Sequence, residues 1–172
     1  VFEQVALTGS TNADLLARAD EAPEGLWLRA DAQDGGRGRL GREWRSPTGN
    51  LYASTIVHWR ANNPPPATIA FVSAVAVYDA IAELAPDIAI QIKWPNDLLV
   101  NGRKICGILI ESGQGTVAGF GLNLNQSDDD FREANLPEAT SLRILARRSF
   151  DLRETLETVL TEHDAGFRTN RD

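Results

Sequence analysis

Hydrophobic positions along the chain follow two spacings, one typical of strands and one typical of helices. Segments rich in β-branched, aromatic and other apolar residues predict strands, which fall at residues 26–32, 50–59, 88–94, 97–100, 104–111 and 116–124. Longer segments with apolar residues at helical spacing predict helices, which fall at residues 13–19, 67–84 and 152–167. Asn101-Gly102 separates two predicted strands and is a strong signal for a tight hairpin. The chain therefore combines strands and helices, and it has no internal repeat.

Polar residues and proline indicate where some of these elements begin and end. Ser10, Thr11 and Asn12 precede the first predicted helix, and their side chains can accept hydrogen bonds from the free amides of its first turn. Pro86 ends the helix at 67–84, because proline lacks the amide hydrogen that a helix needs. The acidic run at 128–130 is interpreted as a solvated loop.

Length and composition limit the classes of protein that this chain can belong to. It has 172 residues, of which 42% are hydrophobic, and this is enough for one well-packed domain. The formal net charge of −7 opposes a nucleic-acid-binding surface, since such a surface neutralises many phosphates. The single cysteine excludes an internal disulfide, and no run of about 18 apolar residues predicts a membrane span. We therefore expect a cytoplasmic protein.

One arginine- and glycine-rich segment, GGRGRLGREW at 35–44, stands out from the acidic chain. It contains Gly35, Gly36, Arg37, Gly38, Arg39, Gly41 and Arg42. Glycine lets the backbone approach a ligand closely, and each guanidinium offers planar donors to carboxylate or phosphate oxygens. Disordered RNA-binding Arg/Gly tracts usually repeat, whereas this segment occurs once, between two predicted strands. It therefore predicts a loop that binds a small anion.

A second polar segment, KWPND at 93–97, precedes the predicted hairpin, and Lys104 follows it. Lys104 either extends to solvent or supplies a positive charge to an oxygen that becomes negative in a transition state. In the second case Asn96 and Asp97 face the cationic cluster, as partners of a metal-bound water or as polar contacts to a sugar or a base. Taken alone, Pro95-Asn96-Asp97 also fits a plain turn.

The remaining motifs exclude several familiar sites. The segment GFGLNLN at 119–125 places glycines inside a strand, which often marks close approach of a backbone or ligand, but it lacks the GxGxxG spacing of dinucleotide-binding sites. The segment at 35–44 lacks the Gly-Lys-Ser/Thr of a P-loop. His58, His163 and Cys106 give no convincing zinc set, and Cys106 is interpreted as a core residue. Covalent enzyme chemistry is therefore not expected.

Four segments together carry a resemblance to a known family: Ser10-Thr11-Asn12, Gln33 with GRGRLGREW, KWPNDLLVNGRKICGILIE and GFGLNLN. Their order and spacing are similar to those of the biotin protein ligases, or biotin–[acetyl-CoA-carboxylase] ligases, over residues 8–142. The resemblance implies an α+β fold with a central mixed β-sheet flanked by helices, related to class II aminoacyl-tRNA synthetases. It also implies that biotin is activated with ATP and Mg²⁺ to biotinyl-5′-adenylate and transferred to a lysine of a biotin carboxyl carrier protein.

The resemblance also assigns roles to residues. Ser10, Thr11 and Gln33 match the hydrogen-bonding partners of the biotin ureido ring, while Arg37, Gly38 and Arg39 match the part of the loop that closes over the reacting groups. The biotin-binding set that it implies is Ser10, Thr11, Asn12, Gln33, Gly36, Arg37, Gly38, Arg39, Lys104 and Gly107. The nucleotide-binding set is Arg39, Arg42, Trp44, Asn96 and Asn123, with Trp44 covering the adenine.

Three of these residues, Lys104, Arg37 and Arg39, are expected to be catalytic. Lys104 matches the lysine at the biotin carboxylate, where a positive charge brings this carboxylate to the equally anionic α-phosphate. Asp97 is the expected metal ligand.

The sequence also predicts the domain organisation, and it leaves two alternative functions open. We expect one catalytic domain over residues 1–172, without the winged helix that precedes it or the small β-barrel that follows it in many relatives. A lipoate or octanoate transferase of the same fold and a noncatalytic biotin-binding regulatory module are the alternatives. The GRGRLGR sequence opposes the first, and the presence of Lys104, Arg37 and Arg39 opposes the second. Family members pair through sheet edges, so a homodimer is also an expectation.

Overall fold

The computed structural model of this protein describes residues 2–58, 65 and 67–169. The strands in these residues are β1 (Phe2–Thr8), β2 (Trp27–Gln33), β3 (Leu51–Val57), β4 (Gln91–Lys93), β5 (Asp97–Val100), β6 (Arg103–Ser112) and β7 (Thr116–Leu122). The helices are α1 (Thr11–Leu16), α2 (Ala67–Leu84), α3 (Asp128–Glu133), α4 (Leu142–Ala146) and α5 (Leu152–Thr169), with a 3₁₀ turn at Arg39–Gly41. None of the helices in this part of the chain has the length and apolar content needed to cross a bilayer.

The strands form one mixed sheet in the order β1-β2-β3-β7-β6-β5-β4. β1 and β2 are parallel, whereas the other neighbouring pairs are antiparallel. A parallel pair needs a crossover connection, and α1 lies in the connection from β1 to β2. The mixed sheet and its flanking helices confirm the predicted α+β fold.

Helices cover both faces of the sheet, and alternate residues of β2 pack on opposite faces. Trp27 belongs to the larger core, which contains buried residues of α2 and α5. Leu28 belongs to a smaller core, which contains Leu15 of α1. All residues of the central strands β3 and β7 are buried, since these strands are covered on both faces. The two cores therefore fix the strand ends from which the polar segments extend.

The longest predicted helix and the predicted hairpin are confirmed. α2 has the bounds that its apolar spacing predicts, and Asn101-Gly102 joins β5 to β6 with positive φ angles of 50° and 76°. The other predicted strands are confirmed within a few residues, except that at 88–94 only Gln91–Lys93 pairs with β5. The chain leaves the sheet before Pro95, which has no amide hydrogen to donate. Trp59, predicted as the last residue of β3, lies outside the described residues.

The interpretation of the acidic run at 128–130 as a loop is wrong, because these residues form the first turn of α3. The amide of Ser127 donates to Asp130 Oδ2 at 2.7 Å, and the amide of Asp130 donates to Ser127 Oγ at 3.3 Å. This capping box satisfies two free amides, and the hydrogen bond from the Ser127 backbone lowers the pKa of the Asp130 carboxyl. Three acidic side chains in the first turn also interact favourably with the helix dipole.

β1 and α4 are missing from the sequence prediction. β1 is an edge strand that pairs only with β2, and three of its apolar residues, Val5, Ala6 and Leu7, follow one another directly. No alternation of apolar and polar residues therefore marks it. α4 has five residues, which is too short for a helical spacing to be recognised.

The interpretation of Cys106 as a core residue is confirmed. Its side chain is fully buried, and burial raises the pKa of the thiol, which disfavours the nucleophilic thiolate. His58 is exposed and His163 is buried. Among the described residues, no group of three or more His, Cys, Asp or Glu side chains is arranged to hold a metal ion.

Burial of His163 is expected to make the stability of the fold depend on pH. Its ring packs against that of Trp27 at a centroid distance of 4.9 Å, and its Nε2 lies 3.2 Å from Ser73 Oγ. Burial lowers the pKa of His163 to about 4, whereas an unfolded chain binds this proton with a pKa of about 6.5. Between these values the unfolded state binds more protons, so stability falls as the pH is lowered from about 6.5 towards 4. The expected loss at pH 5 is about 2 kcal/mol.

Urea unfolding at pH 7.5 and pH 5 measures this loss. The variant His163→Gln should lose the part of the pH dependence that His163 causes, whereas His58→Gln, which changes an exposed ring, should keep it. An equal change in unfolding free energy for the wild type and His163→Gln would contradict the prediction.

Candidate functional site

The candidate site begins where two parallel strands end. Thr8 and Gln33 are register partners, so the residues that follow β1 meet the end of β2. Ser10 is the N-cap of α1, and its Oγ accepts a hydrogen bond from the amide of Ala13 at 3.4 Å. Thr11 donates to Gln33 Oε1 from its amide at 2.9 Å and from its hydroxyl at 3.2 Å. Three residues predicted for the site from sequence therefore lie together.

A buried hydrogen-bond network supports these residues from inside the sheet. Ser54 Oγ of β3 lies 2.7 Å from Thr11 Oγ1 and donates to Asn12 Oδ1 at 2.6 Å. Asn12 Nδ2 donates to the carbonyl of Leu109 at 3.2 Å and to Glu111 Oε2 at 3.0 Å. Because both amide hydrogens of Asn12 are used within the protein, this residue supports the site and has no amide hydrogen left for a ligand.

Glycines in β6 and β7 let other side chains approach the sheet closely. For GFGLNLN the sequence predicts such an approach by a backbone or a ligand. A Cβ at Gly119 would overlap Asn12 Oδ1, and a Cβ at Gly121 would overlap the indole of Trp44. A Cβ at Gly107 would lie 3.1 Å from the same indole, which is tighter than ordinary contact. The approach is therefore made by the protein's own side chains.

The arginine- and glycine-rich loop connects β2 to β3, and hydrogen bonds close its base. The amide of Gln33 donates to the carbonyl of Ser46 at 3.0 Å, and the amide of Trp44 donates to the carbonyl of Gly36 at 2.9 Å. Gln33 Nε2 also donates to Ser46 Oγ at 2.9 Å. A Cβ at Gly36 would overlap the carbonyl oxygen of Trp44, so glycine is required at the loop base.

Trp44 covers the surface between the loop and the sheet. Its indole lies over Gly107 and Gly121, and Lys104 Nζ is 5.0 Å from the ring centroid, a distance typical of cation–π contacts. The indole Nε1 is buried and has no hydrogen-bond partner within the described structure. Trp44 therefore links the loop to the strand that carries Lys104.

Lys104 is held at its backbone and at its ammonium group. Its amide donates to the carbonyl of Glu138 at 2.7 Å, and its carbonyl accepts from the amide of Thr140 at 2.9 Å. Its Nζ lies 2.7 Å from Asp97 Oδ1, and 29% of the Lys104 side chain is exposed. A partly buried ammonium needs a counter-charge, and Asp97 supplies one at the edge of the site.

Arg39 ties the loop to the turn that contains Asn96. Its Nη1 donates to Asn96 Oδ1 at 3.0 Å. Asn96 is itself fixed to β6, because its Nδ2 donates to the carbonyl of Ile108 at 2.9 Å and its own carbonyl accepts from the amide of Ile108 at 2.7 Å. Arg39 therefore contacts a turn that is anchored to β6.

Two neighbouring cavities meet at this cluster. A narrow cavity of about 50 Å³ is lined by the Ser10–Asn12 segment, Gln33 and Arg37. A wider cavity of about 520 Å³ is lined by Arg42, Asn123 and Asp97. Both are lined by Gly38, Arg39, Trp44, Asn96 and Lys104. The arrangement suits two ligands whose anionic groups meet at Lys104 and Arg39.

A sequence model of the biotin/lipoate A/B protein ligase family matches residues 4–124, which is more than half of the chain. The chain belongs to this family. The biotin–[acetyl-CoA-carboxylase] ligase of Paracoccus denitrificans is 39% identical over 132 residues, covering 73% of this chain and 55% of the relative. The corresponding ligase of Mycobacterium tuberculosis is 38% identical over 172 residues, covering 95% of this chain and 63% of the relative. The chain therefore spans between 55% and 63% of the length of these two relatives.

Solved structures of the biotin/lipoate A/B protein ligase family have the same fold as this chain. The biotin protein ligase from Aquifex aeolicus, in complex with biotin and ATP, superimposes with a TM-score of 0.83 at 28% sequence identity. The match covers 98% of this chain and 70% of that protein. The complex contains the two small molecules that the sequence resemblance implies for this chain.

The structure places most of the predicted site residues of this family member around the two cavities. Gly36 differs, because it lies against the carbonyl of Trp44 and lines neither cavity. Trp44 lines both cavities, which neither confirms nor contradicts its predicted place at the adenine. Ser54 and Glu111 belong to the hydrogen-bond network but were missed by sequence reasoning.

Proposed function

We propose that this chain is the catalytic part of a biotin protein ligase, which activates biotin with ATP and transfers it to a lysine of a biotin carboxyl carrier protein. The observation that carries the proposal is the meeting of the two cavities at Lys104, Arg39 and Trp44. A binding module for one small molecule needs one cavity, whereas joining two acids needs two adjacent sites with positive charge between them.

In this proposal the narrow cavity binds biotin. Ser10, Thr11 and Gln33 offer hydroxyl, amide and carbonyl groups to the ureido ring, which must recover hydrogen bonds when it leaves water. The narrow volume of this cavity means that the loop or Trp44 moves when biotin enters. Lys104 exchanges Asp97 for the biotin carboxylate, or shares its three donors between the two.

The wider cavity binds ATP. Arg39 and Arg42 neutralise phosphate oxygens, and Asn123 and Trp44 lie along the walls for the nucleoside. The biotin carboxylate attacks the α-phosphate and displaces pyrophosphate, and Lys104 and Arg39 stabilise the charge that grows on the phosphoryl oxygens. A mixed anhydride, biotinyl-5′-adenylate, is formed.

Mg²⁺ fits this site only as an ion held largely by the phosphates. Among the described residues, no three Asp, Glu, His or Cys side chains are arranged to hold a metal ion by themselves. Mg²⁺ at nucleotide sites commonly uses one or two carboxylates and the substrate phosphates. We assign Asp97 as its carboxylate, because this side chain lines the wider cavity. The ion would offset the charge of the leaving pyrophosphate.

The direct test is incubation of the purified chain with biotin, Mg²⁺ and ATP labelled at the α-phosphate. Labelled biotinyl-adenylate and pyrophosphate should appear, and a carrier domain added afterwards should become biotinylated. EDTA should abolish the reaction. Pyrophosphate release with lipoate but not with biotin would identify a lipoate-type transferase instead, and biotin binding in calorimetry without pyrophosphate release would identify a noncatalytic module.

A further inference from the structure

Glu111 lies near the end of β6, opposite Val117 of β7, and outside both cavities. Its carboxylate contacts the site in two directions. Glu111 Oε2 accepts a hydrogen bond from Asn12 Nδ2 at 3.0 Å, and Arg37 Nη2 lies 3.4 Å from Oε1 and 3.5 Å from Oε2. The carboxylate therefore bridges the buried network to an arginine of the loop.

The Asn12 side of this bridge is rigid. Asn12 is buried, donates its second amide hydrogen to Leu109, and accepts from Ser54, so its side chain cannot turn without breaking several hydrogen bonds. Gly119 has no side chain, and the Asn12 side chain occupies the space that a Cβ would fill there. The position of the Glu111 carboxylate is thus determined by the sheet.

The Arg37 side of the bridge is more exposed to solvent. The Arg37 side chain is 45% exposed, whereas that of Glu111 is 23% exposed. Arg37 lies on the loop between β2 and β3, where its backbone pairs with Glu43 across the loop. Without a fixed anion, a half-exposed arginine on a glycine-rich loop would adopt many rotamers.

We infer that Glu111 is a positioning residue: it holds Arg37 at the mouth of the narrow cavity and so keeps the loop closed over the site. Glu111 acts through Arg37, since only Arg37 of the two lines that cavity. Glu111 makes these contacts within the protein itself, so its effect on loop closure does not depend on a ligand. Its kinetic consequence rests on the proposed function.

The variant Glu111→Gln tests the inference with little change in shape. Its side-chain oxygen can still accept from Asn12, but the negative charge that faces Arg37 is gone. In the absence of any ligand, trypsin should cleave after the loop arginines about two to five times faster than in the wild type, which is the range for a partly exposed ion pair. The matched control is Glu157→Gln, which breaks the exposed pair with Arg153 on α5 and should not change cleavage of the loop.

A second measurement separates action through Arg37 from a general weakening of the fold. In an Arg37→Ala background, Glu111→Gln should leave the cleavage rate at the remaining loop arginines unchanged, because the partner is already absent. Additive acceleration in the double variant, or no acceleration in Glu111→Gln alone, would overturn the inference. The urea unfolding midpoint of Glu111→Gln should fall by no more than the loss of one partly exposed ion pair allows, and a larger fall that accounts for the faster cleavage would also overturn the inference.

Steady-state kinetics give the functional consequence. Glu111→Gln should raise the KM for biotin about two- to fivefold with little change in kcat, because the loop closes less often while Lys104 is untouched. Should the wild type form no adenylate, the proposed function fails, and the proteolysis result still decides whether Glu111 holds Arg37. An unchanged KM with faster proteolysis would show that Glu111 holds Arg37 but has no part in the reaction, and would contradict the kinetic consequence.

Discussion

Replacing Lys104 with alanine is expected to lower the rate of biotinyl-adenylate formation by about 100-fold or more, the scale on which one preorganised electrostatic contact acts. The reason lies in the charges that the reaction brings together. The biotin carboxylate and the α-phosphate are both anionic, and the Lys104 ammonium lies where the two cavities meet. Of the two cationic side chains that line both cavities, only Arg39 would then remain to offset their repulsion.

Pyrophosphate release in single-turnover experiments measures this loss, with biotin binding followed separately by calorimetry. The variant Arg153→Ala removes one positive charge from the exposed surface of α5 and should release pyrophosphate at the wild-type rate. Lys104→Ala also leaves Asp97 without its ion-pair partner, so the unfolding midpoint is measured for each variant. Release near the wild-type rate in a folded Lys104→Ala protein would refute the assigned role.

Local sequence signals predict much of the fold because they act within one element. The apolar spacing of α2 and the positive φ angles of Asn101-Gly102 depend on neighbouring residues only, and both are predicted correctly. Strand order is different, because it depends on which distant segments pair. The sequence does not reveal that β1 lies beside β2, and this pairing is what brings Ser10 and Thr11 to Gln33.

The sequence predicts those residues of the candidate site that belong to recognisable motifs, and it misses the others. The loop arginines and Lys104 carry their own chemical signal, whereas Ser54 and Glu111 lie in strands that otherwise look like ordinary sheet. A polar pair, Ser54-Thr55, in the buried strand β3 is a signal that such side chains need internal partners. The structure supplies Asn12 and Thr11 as partners of Ser54, and the hydroxyl of Thr55 donates to the carbonyl of Leu26.

The second large effect is expected from Arg39→Ala, which should release biotinyl-adenylate before transfer. Arg39 is the loop side chain that donates to Asn96, and Asn96 is anchored to β6 through Ile108. A hydrogen bond from a charged donor contributes about 1.5–3 kcal/mol, so its loss should speed escape of the intermediate by about tenfold or more. Free adenylate reacts with any accessible amine, so lysines of bystander proteins should become biotinylated.

Escape is measured by the labelled adenylate that stays with the protein on a filter, and bystander labelling is measured by blotting an added unrelated protein for biotin. Arg132→Ala, which removes an exposed arginine of α3 paired with Asp129, is the matched control and should retain the adenylate. Adding Asn96→Ala to Arg39→Ala should accelerate escape little further if the two residues act as one contact. Retention of the adenylate by Arg39→Ala at the wild-type level would show that the loop does not seal the site through this arginine, and closure would then depend on Trp44 and on the Arg37–Glu111 pair.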